Sequence, residues 1–224
     1  MSLEILYEDN HILSCIKPAG VLSQEDHTGD SDMLTLIKDY LKVKYNKPGN
    51  VFVGLVHRLD RPVAGVMVFA KTSKAASRLS DQIRTHTFKK KYMAVIHGVP
   101  QKSGTFRDFL LKNEKTNMVS VVEAEISGGK EALLDYSLIK TSDFNNKNLS
   151  LMEIDLHTGR PHQIRVQFAS RKLPLLGDLR YGIDKTGEIA LWSKSITIMH
   201  PTTKETLIFE KEPPKIEWPW SVFN

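Results

Sequence analysis

The stretch His57-Arg58-Leu59-Asp60-Arg61-Pro62 sets an imidazole, two guanidiniums and a carboxylate between two apolar runs, Val51 to Val56 and Gly65 to Ala70. Strand ends are where a rigid scaffold presents reactive groups, so an anion next to fixed cations makes this a candidate site. The same residues also suit a solvated turn in which Asp60 bonds its own backbone. On this segment alone both readings stand. Lys89-Lys90-Lys91-Tyr92 opens a strand with three cations and an aromatic ring, and His157-Thr158-Gly159-Arg160-Pro161-His162-Gln163-Ile164-Arg165 leads a glycine turn into a helix. Alone, Tyr92 would pass for a sheet-edge aromatic and Arg165 for a helix residue that snorkels to water. A zinc site on His157 and His162 is not supported, since five residues of separation do not align two ligands on one helical turn and the lone Cys15 allows no CxxC.

The elements that must hold these segments follow from periodicity. Ile5 to Tyr7 and Ile12 to Ile16 read as a hairpin whose second strand ends at Lys17-Pro18-Ala19-Gly20. Leu34, Ile37 and Leu41 mark an amphipathic helix between Asp32 and Asn46, with Asp30 or Ser31 as N-cap. Val51 to Val56 and Gly65 to Ala70 read as buried strands, and Ala75, Leu79 and Ile83 give a second helix from Ser73 to Thr85. Strands follow at Lys91 to Ile96, Phe106 to Leu111, Met118 to Val122, Ala132 to Ile139 and Leu149 to Asp155, most of them alternating apolar with polar. Pro161 suits the first position of a third helix that turns Ile164 and Phe168 inward. Ile196 to Met199 and Thr206 to Glu210 close the pattern. Strands outnumber helices without a βαβ rhythm, which predicts one α+β domain over residues 1–224 on a large, mainly antiparallel mixed sheet flanked by helices and loops.

Composition narrows the class further. At 224 residues the chain has room for one large domain or two small ones. Hydrophobic residues at 41% and charged residues at 25% disfavour disorder, collagen and coiled coil. No basic-then-apolar leader opens the chain, no run of about 18 apolar residues occurs, and a single cysteine fits a reducing compartment. A cytoplasmic protein away from membranes is expected. The net charge of +5 is modest, but Lys71 to Lys115 holds eleven Lys and Arg against three acids, more than the whole chain's excess. Such a stretch is either a solvated face or a surface for a polyanion.

Taken together, the segments resemble the RluA family of RNA pseudouridine synthases. The resemblance runs in order from ILYEDNHILSCIKPAG through HRLDRPVAG and HTGRPHQIRV to LGDLRYG and the closing His200-Pro201, and so covers nearly the whole chain. It implies a pseudouridine synthase catalytic domain that isomerises uridine in ribosomal or transfer RNA. It further implies that Asp60 is the catalytic aspartate, that Tyr92 lies against the target base, and that Arg165 pairs with the aspartate.

The chemistry of that reaction suits these residue types. The N1–C1′ bond must break, the base must turn, C5 must join C1′ and the C5 proton must leave, with no cofactor and no metal. An ionised carboxylate can attack C6 or C1′, or remove a sugar proton to give a glycal. A nearby guanidinium keeps such a carboxylate ionised against burial. A phenol with a reference pKa of about 10 is a poor general base, so Tyr92 is assigned stacking first. A stacked uridine is out of reach and must be flipped out, leaving a gap that Arg58 could fill. Lys89, Lys90, Lys91, Arg160 and His162 are candidates for contacts to the RNA backbone, and His57 for ordering the loop.

Two departures from the family pattern matter. Many members read Asp-x-x-Thr-Ser-Gly, whereas here Val63-Ala64 replaces the two hydroxyls before Gly65, so the loop's hydrogen bonds must come from elsewhere. Many also carry an N-terminal S4 domain, while here the first hairpin begins near residue 1, so RNA selection is expected to rest on this domain, acting as a monomer. Two competing classes are a glycosidic hydrolase, for which a second carboxylate beside Asp60 is not evident, and a non-catalytic RNA-binding module, which would not need the anion.

Overall fold

A computed structural model describes residues 3–184 and 187–224. Among these lie eleven strands, three α-helices and a short 3-10 turn, Trp220–Phe223. The contacts divide the chain into two units, Met1–Lys89 with Ser193–Lys211 and Lys90–Trp192 with Glu212–Asn224.

The first unit opens on the expected hairpin, β1 (Ile5–Glu8) antiparallel to β2 (Ile12–Lys17), turned by Asp9, whose carboxylate accepts the backbone N–H of His11 and Ile12. Helix α1 (Met33–Tyr45) has its cap one or two residues later than expected: Asp32 takes that role, accepting from Leu34 N and Thr35 N, and Asn46 closes the helix in the left-handed region. Met33, Ile37 and Leu41 are its buried stripe. The strand expected over Val51 to Val56 shrinks to β3 (Gly54–Leu55), since Phe52 is exposed and only two residues pair. Strand β4 (Ala64–Ala70) runs antiparallel to β2 from Ile12↔Ala70 to Lys17↔Gly65 and is almost wholly buried. Helix α2 (Ser73–Arg84) is capped by Thr72. The order β1-β2-β4-β10 is completed by β10 (Leu191–Met199), with β11 (Thr206–Glu210) antiparallel to β10.

In the second unit the order is β5-β9-β8-β6-β7, antiparallel throughout. The strands are β5 (Lys89–His97), β6 (Ser103–Asn113), β7 (Met118–Val122), β8 (Lys130–Phe144) and β9 (Lys147–Leu156). Asn145 and Asn146, both at positive φ, make the two-residue turn that joins β8 to β9. Helix α3 (Gln163–Ala169) starts two residues after Pro161, because His162 adopts φ 51° and cannot be its first turn. Every residue from Gln163 to Phe168 is buried. One core cluster gathers Met93, Val95, Leu149, Leu176, Ala190, Trp220 and Phe223, and another gathers Leu110, Val119, Ala132 and Val166. The fold class is therefore α+β on mainly antiparallel strands. No helix among the described residues is long and apolar enough to cross a membrane.

Candidate active site

In the first unit the turn after β3 is pinned from below. Lys17, at the end of β2 and 0% exposed, donates from Nζ to the carbonyl oxygens of Pro18 (2.8 Å) and Arg61 (3.0 Å). Gly20 N donates to the same Arg61 oxygen at 2.9 Å. Ser23 Oγ donates to Leu59 O and accepts from Leu59 N, at 2.8 and 3.1 Å. The residues on either side of Asp60 are thus fixed, and Val63 N closes the turn onto Asp60 O at 3.0 Å. These bonds come from Lys17 and Ser23, which answers where the loop finds partners once Val63 and Ala64 offer no hydroxyl.

Burial pulls the Lys17 ammonium down to about 7; the Asp60 carboxylate opposes that fall and the Arg61 guanidinium adds to it. Arg61 itself is held outside, with Nε on Gly20 O and Nη2 on Asp30 at 2.8 Å. Arg58 is exposed, its one recorded bond going to Gln24 Oε1. His57 Nε2 accepts the Val68 N–H at 3.0 Å and its ring lies 5.3 Å from that of Phe88, an arrangement suited to holding the loop against β4. Gly65 sits at φ 121° with the Ser193 backbone where a Cβ would be, so only glycine fits there.

Apart from Lys89, the last residue of the first unit's opening stretch, the other candidates belong to the second unit. Tyr92 is buried on β5, opposite Ile154 of β9. Lys89 is exposed, Lys90 partly buried, and Lys91 lies between Glu153 and Asp155, at 3.1 and 3.3 Å. Burial would lower Lys91, but those two carboxylates outweigh it and raise its pKa.

Past β9 the turn is organised by one side-chain amide. Gln163 Oε1 accepts from Thr158 Oγ1 (2.8 Å) and Arg160 N (3.0 Å), while its Nε2 donates to Leu133 O and Gln167 Oε1. Arg160 Nε donates to Glu131 O at 2.7 Å. On α3, Arg165 makes a two-pronged pair with Asp178, each N–O distance 2.8 Å, and both side chains are buried. Asp178 also accepts from Arg180 N and Tyr181 N. Burial pushes the Asp178 carboxyl up, but Arg165 and the two N–H donors hold it below the usual carboxylate range. The Arg165 guanidinium lies 5.2 Å from the Tyr181 ring centre. Tyr181 OH accepts from Val119 N at 2.9 Å and shares a second hydrogen bond, 2.7 Å long, with His162 Nδ1.

Within the first unit the structure thus groups His57, Arg58 and Asp60 on one clamped turn. Within the second it groups His162 and Arg165 through Tyr181, and Arg160 through Gln163. Lys17, Ser23, Gln163 and Tyr181 escaped the sequence reading. For Lys17 a signal existed, a lone cation closing the apolar run Ile12 to Ile16. Asp178, in the LGDLRYG motif, sits in a turn whose N–H groups it accepts, with Arg165 as a further partner.

The model of the RNA pseudouridylate synthase family matches residues 11–170. Ribosomal large subunit pseudouridine synthase C of Buchnera aphidicola (Baizongia pistaciae) is 32% identical over 91% of this chain and 65% of its own length. An uncharacterized RNA pseudouridine synthase of Bacillus subtilis is 33% identical over 93% of this chain and 68% of its own length. The chain thus spans about two thirds of these relatives. A tRNA pseudouridine synthase C of Vibrio parahaemolyticus is 28% identical over 94% of this chain and 90% of its own length. Human RNA pseudouridylate synthase domain containing 4 has the same fold, with a TM-score of 0.78 at 20% identity over 95% of this chain and 89% of that one. With the matched residues taking in both the Asp60 turn and Arg165 on α3, this chain belongs to the RNA pseudouridylate synthase family.

Proposed function

We propose that this chain is an RNA pseudouridine synthase that isomerises uridine in ribosomal or transfer RNA, working as one catalytic domain with the Asp60 carboxylate as its reactive group. The observation that carries the reading is the clamped turn. Lys17 and Ser23 fix the backbone on both sides of Asp60, so the carboxylate is presented from a rigid support. Relatives named for ribosomal RNA and others named for transfer RNA support keeping both substrate classes.

In the reaction the N1–C1′ bond breaks, C5 joins C1′, the C5 proton leaves and N1 gains a proton, so the formula is unchanged. Asp60 acts as nucleophile at C6 or C1′, or as the base that makes a glycal. The uridine reaches it flipped out of its stack, at a cost of a few kcal/mol. Arg58 has the exposure and the flat cation to stack in the vacated place. Tyr92 supplies an aromatic face for the base, and Arg165 the guanidinium that favours an ionised aspartate; both roles follow from their motifs. Lys89, Lys90, Lys91, Arg160 and His162 serve the RNA backbone, and His57 holds the loop.

The test is pseudouridine mapping of total RNA from cells with and without the gene, reading carbodiimide adducts as reverse-transcriptase stops. One or a few defined stops should vanish on deletion and return with the wild type but not with Asp60→Asn. An unchanged map, with purified protein that still binds RNA, would favour a non-catalytic RNA-binding module instead.

A further inference from the structure

The three adjacent lysines that open β5 meet different surroundings. Lys89 is exposed, and Lys91 is neutralised from within by Glu153 and Asp155. Lys90 is partly buried, and its Nζ lies 3.0 Å from the point a Cβ on Gly159 would occupy, so the ammonium is set against the turn that leads to α3. Among the described residues no hydrogen bond or ion pair engages it. The ammonium keeps some contact with water, but a cation partly shielded from water without an acceptor is costly, and such groups are normally paired. Gly159 leaves the space over the ammonium open, where any other side chain would crowd it.

We propose that Lys90 is the phosphate ligand of this tract, its missing acceptor being a phosphodiester oxygen of an RNA strand lying on the Gly159 turn. The inference rests on the RNA reading above and sharpens it to one residue and one chemical group. It also gives RNA binding a pH dependence. Burial alone holds Lys90 down to about 8. The charged groups of its unit on β9 and on the turn are engaged elsewhere. Glu153 and Asp155 take Lys91, His157 bonds Asp135 at 2.7 Å, Arg160 donates to Glu131 O, and His162 meets Tyr181. Free Lys90 therefore loses its proton above about pH 8, whereas a bound phosphate keeps it, so binding takes up a proton in that range and weakens as pH rises.

The experiment measures binding of a labelled uridine-containing RNA stem-loop to the full chain by anisotropy, with wild type, Lys90→Arg and Lys90→Gln. Arginine keeps its charge at every pH used, so the difference between wild type and Lys90→Arg isolates this one group. Wild type should weaken about tenfold more than Lys90→Arg between about pH 7 and pH 9. Lys90→Gln should reduce the slope of log affinity against log salt by about one phosphate contact. Parallel pH profiles with an unchanged salt slope would overturn the assignment. Inorganic phosphate in place of chloride at equal ionic strength should compete with RNA more strongly on wild type than on Lys90→Gln; phosphate that binds at Lys90 without any effect on RNA affinity would mean a site for free phosphate and would also overturn it. Pseudouridine made and RNA bound with identical profiles defeats the Lys90 assignment alone. A wild type that neither binds RNA nor makes pseudouridine defeats it together with the parent reading.

Discussion

Lys17 Nζ and the carbonyl oxygen of Arg61, 44 residues apart in sequence, are 3.0 Å apart in space, and this bond fixes the backbone immediately after Asp60. The lysine lies inside the protein at a pKa of about 7, well under its unfolded value. Between about pH 7 and pH 10 the unfolded chain therefore binds more protons at this residue than the folded one. Stability then rises with pH, by up to about 1.4 kcal/mol per unit. Lys17→Met should lose this slope, as read from urea unfolding at several pH values. It should also take the donor from Pro18 O, at about 1–3 kcal/mol, leave Arg61 O with the Gly20 N–H alone, and lower turnover by loosening the turn. A variant that keeps the wild-type slope would show that Lys17 does not carry it.

Asp60→Asn is expected to abolish pseudouridine formation, by at least about a thousandfold, while RNA affinity changes less than about threefold. Single-turnover assays on saturating RNA separate the two. Appreciable turnover in the variant would remove Asp60 from the chemical step.

Tyr92 is buried on β5, so its replacement has a structural cost that must be controlled. Tyr92→Phe keeps the ring and should retain most activity and stability. Tyr92→Ala should lose about 3–5 kcal/mol of stability through the cavity, and activity beyond what the folded fraction explains. Activity per folded molecule decides the matter: equal losses in the two variants would assign the contribution to the hydroxyl.

Asp178→Asn removes the buried anion that the Arg165 guanidinium grips with two N–H groups, which should cost about 3–5 kcal/mol in unfolding free energy. The pH dependence has the opposite sign to that of Lys17. The Asp178 carboxyl is held below its ordinary range, so its contribution is present above about pH 4 and disappears as pH falls through the lowered value. Wild type should therefore lose its advantage over the variant in acid. A gap between them that stays constant down to about pH 2 would refute the pair's role.

Much of this was legible in sequence because local periodicity and tertiary burial agree. α2 and β2, β7 and β11 lie within a residue or so of their expected bounds. Elsewhere tertiary partners decided. Residues 51–56 have the composition of a buried strand, yet only Gly54 and Leu55 find a ladder. β8 extends to Phe144 past the point where its alternation breaks, because a register shift between Leu138 and Lys140 lets pairing with β9 continue. Pro161 suits a helix start, but the side chain of Gln163 takes the bonds that shape the turn and moves the start to residue 163. The ordered motifs revealed which residues carry the site. For Lys17 they left only the hint of a lone cation closing β2, since a lysine's charge argues for the surface and only the meeting of β2 with a loop 44 residues away makes burial tolerable.

The Gln163 amide has a further consequence. All four of its recorded bonds lie within the protein, and they tie Thr158 and Arg160 to the first turn of α3. The segment between β9 and α3 is thus preorganised: its conformational freedom is already surrendered on folding. A ligand that lies on it need not order it, and the interaction energy of each contact there goes into affinity rather than into stilling a mobile loop.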